Sequence, residues 1–291
     1  MSMGHVLAFG TFDGLHKGHT AVLNAALSFK DLTPVVVTFD EPPKRKTSGF
    51  FVPMLMSAEK KLQLLKEMGF KEIFILDYDE IHDVSPKAFL DMLFEKYNVK
   101  AAVCGFNYRF GCGGSGDAAF ICDYCQANGA EAVVVPATEF SGQPISSSLI
   151  RELIADGNIS FANMLLSRPF SFASEVIHGD ERGREMGFPT ANQNLDGNLV
   201  IPKLGVYSTV AQVDGKKYPA VTNIGIRPTF LLKRPISETH IIGFEDDIYG
   251  KIVEISLIDF LRPEKQFSGL DELKAAIDSD KEKAIKNFSK I

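Results

Sequence analysis

Short apolar runs alternate with amphipathic stretches up to residue 156. The runs are rich in β-branched and aromatic residues and predict five strands, at Val6–Phe9, Pro34–Phe39, Glu72–Leu76, Ala101–Gly105 and Ala132–Pro136. Apolar residues recur at helical spacing in three further segments, at Gly18–Phe29, Ala58–Met68 and Ser147–Asp156. Strands that alternate with helices predict an α/β domain with a doubly wound parallel sheet.

From Phe170 onward, short strands replace this alternation. The predicted strands are Phe172–Ile177, Gly205–Val213, Tyr218–Ile224, Glu238–Gly243 and Ile252–Phe260. Asp214-Gly215 between two of them is a hairpin turn signal. The second half therefore predicts an antiparallel barrel or sandwich.

One amphipathic segment ends the chain and predicts a closing helix. Ser268 and Asp271 fit an N-terminal capping box. The apolar residues expected near a common face are Leu270, Leu273, Ile277, Ile285 and Phe288. With the change of pattern in Asn163–Pro169, we predict two domains, residues 1–165 and 166–291.

Charge and composition narrow the possible partners. The formal net charge is -6, and a polyphosphate backbone requires a basic face, so nucleic acid is not expected as the main partner. The sequence has neither an apolar run long enough to span a bilayer nor a secretory signal. We expect a cytoplasmic protein that acts on small molecules.

The four cysteines Cys104, Cys112, Cys122 and Cys125 lie close together in the sequence. Only Cys122 and Cys125 have the close spacing of zinc ligands, and a second close pair is missing. This pattern favours ordinary small apolar residues over structural zinc.

The segment GTFDGLHKGH, from Gly10 to His19, directly follows the first predicted strand. A glycine-lined turn that leads into a helix at Gly18 can bring phosphates close to free backbone N–H groups. His16 and His19 can donate hydrogen bonds to an oxyanion that gains charge during reaction at phosphorus. The candidate phosphate-binding residues here are Gly10, Phe12, Asp13, Gly14 and Gly18.

Two further segments of the first half carry candidate ligand contacts. Ser146, Ser147 and Ser148 precede a helix, where hydroxyls and backbone donors can hold phosphate, although they could equally only cap that helix. Arg151 is either a phosphate contact or a solvated surface charge.

The loop after the fourth predicted strand is rich in aromatic residues. Phe106, Asn107, Tyr108 and Arg109 could stack on and orient a flavin or adenine ring. The aromatic residues could equally anchor the core.

The second half contains one long loop-like stretch that is dense in glycine and charge, from His178 to Asn192. Thr190 and Asn192 offer oxygen atoms suited to a hard magnesium ion. The candidate phosphate contacts are Gly179, Arg182, Gly183 and Gly187. Without other motifs, the alternative is a mobile surface loop.

The motifs together resemble the bacterial bifunctional riboflavin kinase/FAD synthetase family. In the first half, GTFDGLHKGH resembles the His-x-Gly-His motif of nucleotidyltransferases, with supporting similarity in Val103–Gly111 and Ile145–Arg151. In the second half, the similar segments are Pro189–Asn192, Asn223–Thr229, Glu238–His240 and Phe260–Glu264.

This resemblance implies two ATP-dependent reactions and a barrel fold for the second domain. The second domain would phosphorylate riboflavin to FMN with magnesium, with Glu238 as the general base. The first domain would transfer AMP from a second ATP to FMN, giving FAD and pyrophosphate, with Arg151 holding the ATP phosphates. The alternatives are another nucleotidyltransferase with an appended β-domain, and a flavin-binding module that has lost one or both activities.

Three segments depart from the family pattern. Asp40–Pro43 lacks a histidine that similar proteins often carry, Leu231–Arg234 replaces a glycine-containing stretch, and Gly243 stands where an aspartate is common.

Overall fold

A computed structural model describes residues 4–179, 188–228 and 233–290. The chain divides between Ser147 and Ser148 into two compact units. Within the described residues, no helix is both long enough and apolar enough to cross a membrane.

The first unit is built on a parallel sheet. The five strands of this sheet are β1 His5–Phe9, β2 Thr33–Phe39, β3 Glu72–Leu76, β4 Val99–Gly105 and β7 Glu131–Val135. Four short strands form two separate pairs, β5 Arg109–Phe110 with β6 Gly116–Asp117 and β8 Glu139–Phe140 with β9 Gln143–Pro144. Its helices are α1 Lys17–Leu27, α2 Lys44–Thr47, α3 Ala58–Glu67, α4 Tyr78–Ile81, α5 Pro86–Lys96 and α6 Ala118–Ala127. All five predicted strands are confirmed, with shifts of at most two residues at their ends.

The order of the strands in this sheet locates a ligand crevice. The order is β3-β2-β1-β4-β7, and all neighbours pair in parallel. Apolar side chains of β1 and β4 are buried on both faces of the sheet, which explains why these strands read as continuous apolar runs. The chain reverses its direction of winding between β1 and β4, and ligands bind at such a switch point, beyond the carboxyl ends of the strands.

The second unit is a closed six-stranded antiparallel barrel in the order β10-β11-β14-β13-β12-β15. The strands are β10 Phe170–Ile177, β11 Ala191–Asn194, β12 Gly205–Val213, β13 Lys216–Pro228, β14 Lys233–Ile241 and β15 Ile252–Arg262. The helices are α7 Ser147–Ala155, which begins at the last residue of the first unit, α8 Ile159–Leu166 and α9 Leu270–Phe288. Of the two architectures predicted, the barrel is correct, and its closure leaves no unpaired sheet edge.

The hairpin between β12 and β13 forms as predicted. Val213 pairs with Lys216, and the two turn residues adopt positive φ angles, 47° at Asp214 and 80° at Gly215. Two left-handed residues in a row match the right-handed twist of the flanking strands.

A ladder of threonine hydroxyls crosses the barrel interior. Thr222 Oγ1 lies 2.9 Å from Thr209 Oγ1 and 2.9 Å from Thr239 Oγ1, and all three residues are at most 1% exposed. Each hydroxyl can both donate and accept, so the ladder satisfies polar groups that have no access to water.

Strand β11 and helix α8 were not predicted as such. Ala191 and Asn192 were assigned to the loop-like stretch His178–Asn192, and the sequence ANQN of the observed strand has little β-propensity. Its pairing with both β10 and β14 outweighs that preference. The segment proposed as the domain boundary, Asn163–Pro169, lies largely in α8, whose Leu165 and Leu166 are buried.

The predicted start of the closing helix is wrong by one residue. The N-cap is Gly269, and Glu272 Oε2 accepts hydrogen bonds from the backbone N and Oγ of the preceding residue, Ser268, at 2.9 Å and 2.8 Å. Asp271 is therefore not the partner of Ser268.

The predicted apolar face of α9 is also partly wrong. Leu270 and Ile285 are 62% and 48% exposed, whereas Ala284 is buried against Val206 and Val221. Asp280 is buried as well. Its Oδ2 accepts a hydrogen bond from Arg262 Nε at 2.9 Å, which offsets the cost of burying the carboxylate. A small residue and an ion pair thus make the helix contact that larger apolar residues were expected to make.

The threonine ladder predicts an asymmetric effect of substitution. Thr222→Val leaves two buried hydroxyls without their shared partner and should lower the free energy of unfolding by about 2 kcal/mol. The triple variant with valine at 209, 222 and 239 removes all three hydroxyls and should lie within about 1 kcal/mol of wild type. Denaturant unfolding of both variants measures this, and equal stability of the single variant and wild type would contradict a buried ladder.

Candidate active sites

The histidine pair lies at the carboxyl end of β1, where α1 begins. His16 is the N-cap of α1, and its Nδ1 accepts a hydrogen bond from the backbone N of His19 at 3.4 Å. The rings of the two histidines stack at 3.7 Å, and the His19 ring meets Phe12 edge-on at 5.5 Å. Because Nδ1 of His16 accepts, the proton of the neutral ring lies on Nε2.

The turn before the helix has an unusual backbone. Phe12 and Leu15 have φ angles of 51° and 42°, in the left-handed region that non-glycine residues rarely adopt, and Gly14 has a φ of 86°. Side chains at Phe12 and Leu15 are buried. Such a turn persists only where the surrounding structure holds it in place.

Several hydrogen bonds hold this turn. Asp13 is 4% exposed, and its Oδ1 accepts from the backbone N of Leu55 at 2.9 Å. Ser147 Oγ donates to the carbonyl of Asp13 at 2.8 Å, and Thr38 Oγ1 donates to the carbonyl of Thr11 at 3.1 Å. Of the three predicted serines, Ser147 therefore joins the turn, while Ser148 is exposed.

Lys61 is a residue of this site that the sequence did not reveal. It lies on α3, is 4% exposed, and its Nζ donates to the carbonyls of Thr11 at 3.4 Å, Asp40 at 3.1 Å and Phe39. It thereby joins the ends of β1 and β2. Burial lowers the pKa of Lys61, and the charges of Asp13 and Asp40 offset this only partly.

The aromatic loop after β4 divides its residues between core and surface. Phe110 is 7% exposed, and Tyr108 stacks on it at 5.7 Å and also contacts Phe9. Phe106 is 49% exposed. Tyr108 and Phe110 therefore anchor the core, and stacking on a flavin or adenine ring stays a prediction for Phe106.

The polar residues of the same loop point outward. Asn107 and Arg109 are exposed, and Arg109 forms an ion pair of 3.5 Å with Asp117. Because β4 neighbours β1, the switch point brings this loop and the histidine turn to one edge of the sheet. Arg151 is half-buried on the second turn of α7.

In the barrel, strand pairing brings Asn192 and Glu238 together. The two residues lie directly opposite each other on β11 and β14. Asn192 is 7% exposed, and its Oδ1 has no hydrogen-bond partner among the described residues. An added Cβ at Gly179 would lie 2.4 Å from Asn192 Nδ2, so a glycine is needed for this close approach.

His240 fixes the segment that leads into β11. Its Nδ1 lies 2.9 Å from the carbonyl of Pro189, and its ring meets Phe188 edge-on. Burial is the main cause that lowers the pKa of His240, so the ring is neutral at pH 7, and Nδ1 must carry the proton that it donates.

A cavity of about 360 Å³ lies beside these residues. Gly179, Thr190 and Asn192 line one side of it, and the segment from Phe244 to Tyr249 lines the other. Sequence reasoning missed that segment, because its acidic residues look like an ordinary solvated turn. The ring of Tyr249 stacks on His178 at 3.8 Å.

Some predicted residues cannot be compared with the structure. Arg182, Gly183 and Gly187 lie outside the described residues, as do the first two residues of Leu231–Arg234. The four cysteines are free thiols.

Comparisons with known proteins match both halves of the chain. A family model described as FAD synthetase matches residues 1–149, and one described as riboflavin kinase matches residues 166–288. The bifunctional riboflavin kinase/FMN adenylyltransferase of Bacillus subtilis (strain 168) is 35% identical, with 98% of this chain and 93% of that protein covered. The protein of the same name from Escherichia coli (strain K12) is 34% identical, with coverages of 95% and 90%.

A solved structure is similar over nearly the whole chain. It is titled as a macrolide-efflux protein from Streptococcus pneumoniae, has a TM-score of 0.89 and 31% identity, and covers 97% of this chain and 94% of its own. The two family models, one for each half of the chain, define a transferase that acts at phosphorus. The chain belongs to the family of bifunctional riboflavin kinase/FMN adenylyltransferases.

The contacts of Lys61 predict a selective loss of one activity. Lys61→Met removes the donor to three carbonyls and should lower the rate of FAD formation from FMN by about tenfold or more, because the turn loses its position. FMN formation from riboflavin should not change. Steady-state assays of both reactions measure this, with Lys66→Met, at an exposed lysine of the same helix, as the control. An unchanged rate of FAD formation in Lys61→Met would show that the hydrogen bonds of Lys61 are not needed to position the turn.

Proposed function

We propose that residues 166–291 phosphorylate riboflavin to FMN and that residues 1–165 transfer AMP from a second ATP to FMN, giving FAD and pyrophosphate. The observation that carries the kinase assignment is the pairing of Asn192 with Glu238 across β11 and β14. It puts a carboxylate beside the amide of Asn192, which lines the cavity of about 360 Å³ and whose Oδ1 has no partner among the described residues.

Glu238 acts as the general base of the kinase reaction. The terminal ribityl hydroxyl attacks the γ-phosphorus of ATP, its proton passes to Glu238, and the bond from phosphorus to the β-phosphate oxygen breaks. A carboxylate suffices, because phosphoryl transfer with little bond formation at the nucleophile needs orientation more than a strong base. Gly179 contacts the phosphates, and the same role is proposed for Arg182, Gly183 and Gly187, which lie outside the described residues.

The residues around Asn192 fit a magnesium ion. The buried Oδ1 of Asn192 lacks a protein partner among the described residues. Thr190, which carries a hydroxyl, lines the same cavity. Both are hard oxygen ligands of the kind that magnesium prefers. Thr190 and Asn192 would hold the ion, which when bound neutralises charge on the phosphates.

In the first domain, the turn Gly10–Gly18 binds the phosphates of ATP at the N-terminus of α1. The positive end of the helix dipole and the backbone N–H groups favour an anion there. His16 and His19 donate hydrogen bonds to the oxygens that gain charge as AMP is transferred. Asn107 and Arg109, with the exposed ring of Phe106, hold the flavin, while Tyr108 anchors their loop to the core. Ser146–Ser148 and Arg151 hold phosphate.

We place the enzyme in the cytoplasm, because ATP is its substrate and its four cysteines are free thiols. The acidic net charge fits small-molecule substrates rather than nucleic acid or a membrane surface.

The assignment of two separate sites predicts that one activity can be removed alone. Glu238→Gln keeps the shape of the side chain but cannot accept the proton, so FMN formation from riboflavin, ATP and magnesium should be abolished. FAD formation from supplied FMN should continue at the wild-type rate. Chromatography of the flavins formed in both incubations measures this. Equal loss of both reactions would contradict two separate sites, and wild-type protein that converts neither flavin would contradict the proposed function.

A further inference from the structure

A row of polar side chains crosses three neighbouring strands on the outer face of the barrel. Asn192 on β11 lies opposite Glu238 on β14, and Glu238 lies opposite Asn223 on β13. Neighbouring strands are about 4.8 Å apart, so residues directly opposite each other present their side chains on one face, within reach of one molecule. Glu238 therefore has an amide residue on each side.

A carboxylate fixes the orientation of Asn223. Its Nδ2 donates to Glu264 Oε1 at 3.2 Å. An ionised carboxylate only accepts, so the amide nitrogen must face Glu264 and the amide oxygen is left for another partner. That oxygen, Oδ1, is buried and has no hydrogen-bond partner among the residues that the structure describes. Buried polar atoms are nearly always paired, which indicates a ligand here.

Gly225 makes room for this arrangement. It lies two residues beyond Asn223 on β13 and so faces the same side of the sheet. A Cβ at Gly225 would lie 2.7 Å from Glu264 Oε1, too close for any other residue without a shift of the glutamate. Asn223, Gly225 and Glu264 thus form one built contact from two motifs to which the proposed kinase mechanism gives no role.

The two ends of the row, Asn192 and Asn223, differ in their surroundings. On one side of Glu238, Asn192 belongs to the cavity proposed for ATP and magnesium. In an in-line transfer the acceptor approaches from the side opposite the leaving group. Asn223, on the other side of Glu238, therefore lies where the acceptor alcohol must approach.

We propose that Asn223 binds the riboflavin substrate of the kinase reaction through the ribityl hydroxyl next to the one that reacts. Its Oδ1 accepts a hydrogen bond from this 4′-hydroxyl and so sets the terminal hydroxyl against Glu238. Glu264 is a positioning residue that orients the amide of Asn223. Asn223 takes no proton, which still passes to Glu238. This inference rests on the proposed function of the barrel.

The test removes each partner of the hydrogen bond in turn. Full-length wild type and Asn223→Ala are assayed with riboflavin and with its 4′-deoxy analogue. Wild type should have a kcat/KM about tenfold lower for the analogue than for riboflavin. Asn223→Ala should have equal kcat/KM for the two substrates, because alanine cannot accept the hydrogen bond from either of them. If Asn223→Ala still prefers riboflavin by the wild-type ratio, the inference is wrong.

Three further readouts separate this role from others. The KM for ATP and the magnesium dependence should stay unchanged in Asn223→Ala, and a raised magnesium requirement would assign Asn223 to the metal instead and overturn the inference. Glu264→Gln keeps an acceptor oxygen and should retain the discrimination that Glu264→Ala loses. An unchanged KM for ATP in the FMN-forming reaction also reports that the barrel of each variant is folded. Wild type that makes no FMN would refute the proposed function itself, whereas FMN formation with unchanged discrimination in Asn223→Ala would refute only this inference.

Discussion

The hydrogen-bonded register of β14 against β11 and β13 is the constraint on which the barrel site depends. Side chains alternate between the two faces of a strand, so a slip of one residue would turn Glu238 into the interior and Thr239 outward. The interior opposes such a slip, because Thr239 is hydrogen-bonded to Thr222 and Ser237 is fully buried. The polar ladder inside the barrel and the polar row outside it are thus two results of one register.

The first domain secures its site in a different way. In a parallel sheet the ligand-binding residues lie on loops beyond the strands, so no ladder fixes their positions. The turn at Phe12–Leu15 instead relies on hydrogen bonds with residues far along the sequence. Asp13 Oδ1 accepts from the backbone N of Leu55, and Lys61 Nζ donates to the carbonyl of Thr11. A buried ammonium loses its hydration, and three carbonyl acceptors offset that cost. Lys61 thus binds the carbonyl that directly precedes the strained turn.

How far the sequence predicted this structure follows from the range of the interactions involved. The five strands of the parallel sheet and five of the six barrel strands were predicted, because their apolar runs and turn signals are local. Strand β11 was missed because only its partners make it a strand, and the face of α9 was misjudged because Asp280 is buried by an ion pair with Arg262. Lys61 looked like any lysine on an amphipathic helix, and only the fold shows that it points inward. Asn223 and Glu264 lay in motifs, but their contact joins residues that are far apart in the sequence.

Two departures from the family pattern, at Asp40–Pro43 and at Gly243, leave the backbone of each site unchanged. At Asp40–Pro43 the tether from Lys61 runs to the backbone carbonyls of Phe39 and Asp40, and a change of side chain at Pro42 removes neither carbonyl. Gly243 has a φ of 75°, and no atom would lie within 4 Å of an added Cβ. Glycine adopts that left-handed conformation most readily, and aspartate is among the few other residues that often do. The side chains at Pro42 and Gly243 can therefore vary without a change of the backbone at these positions.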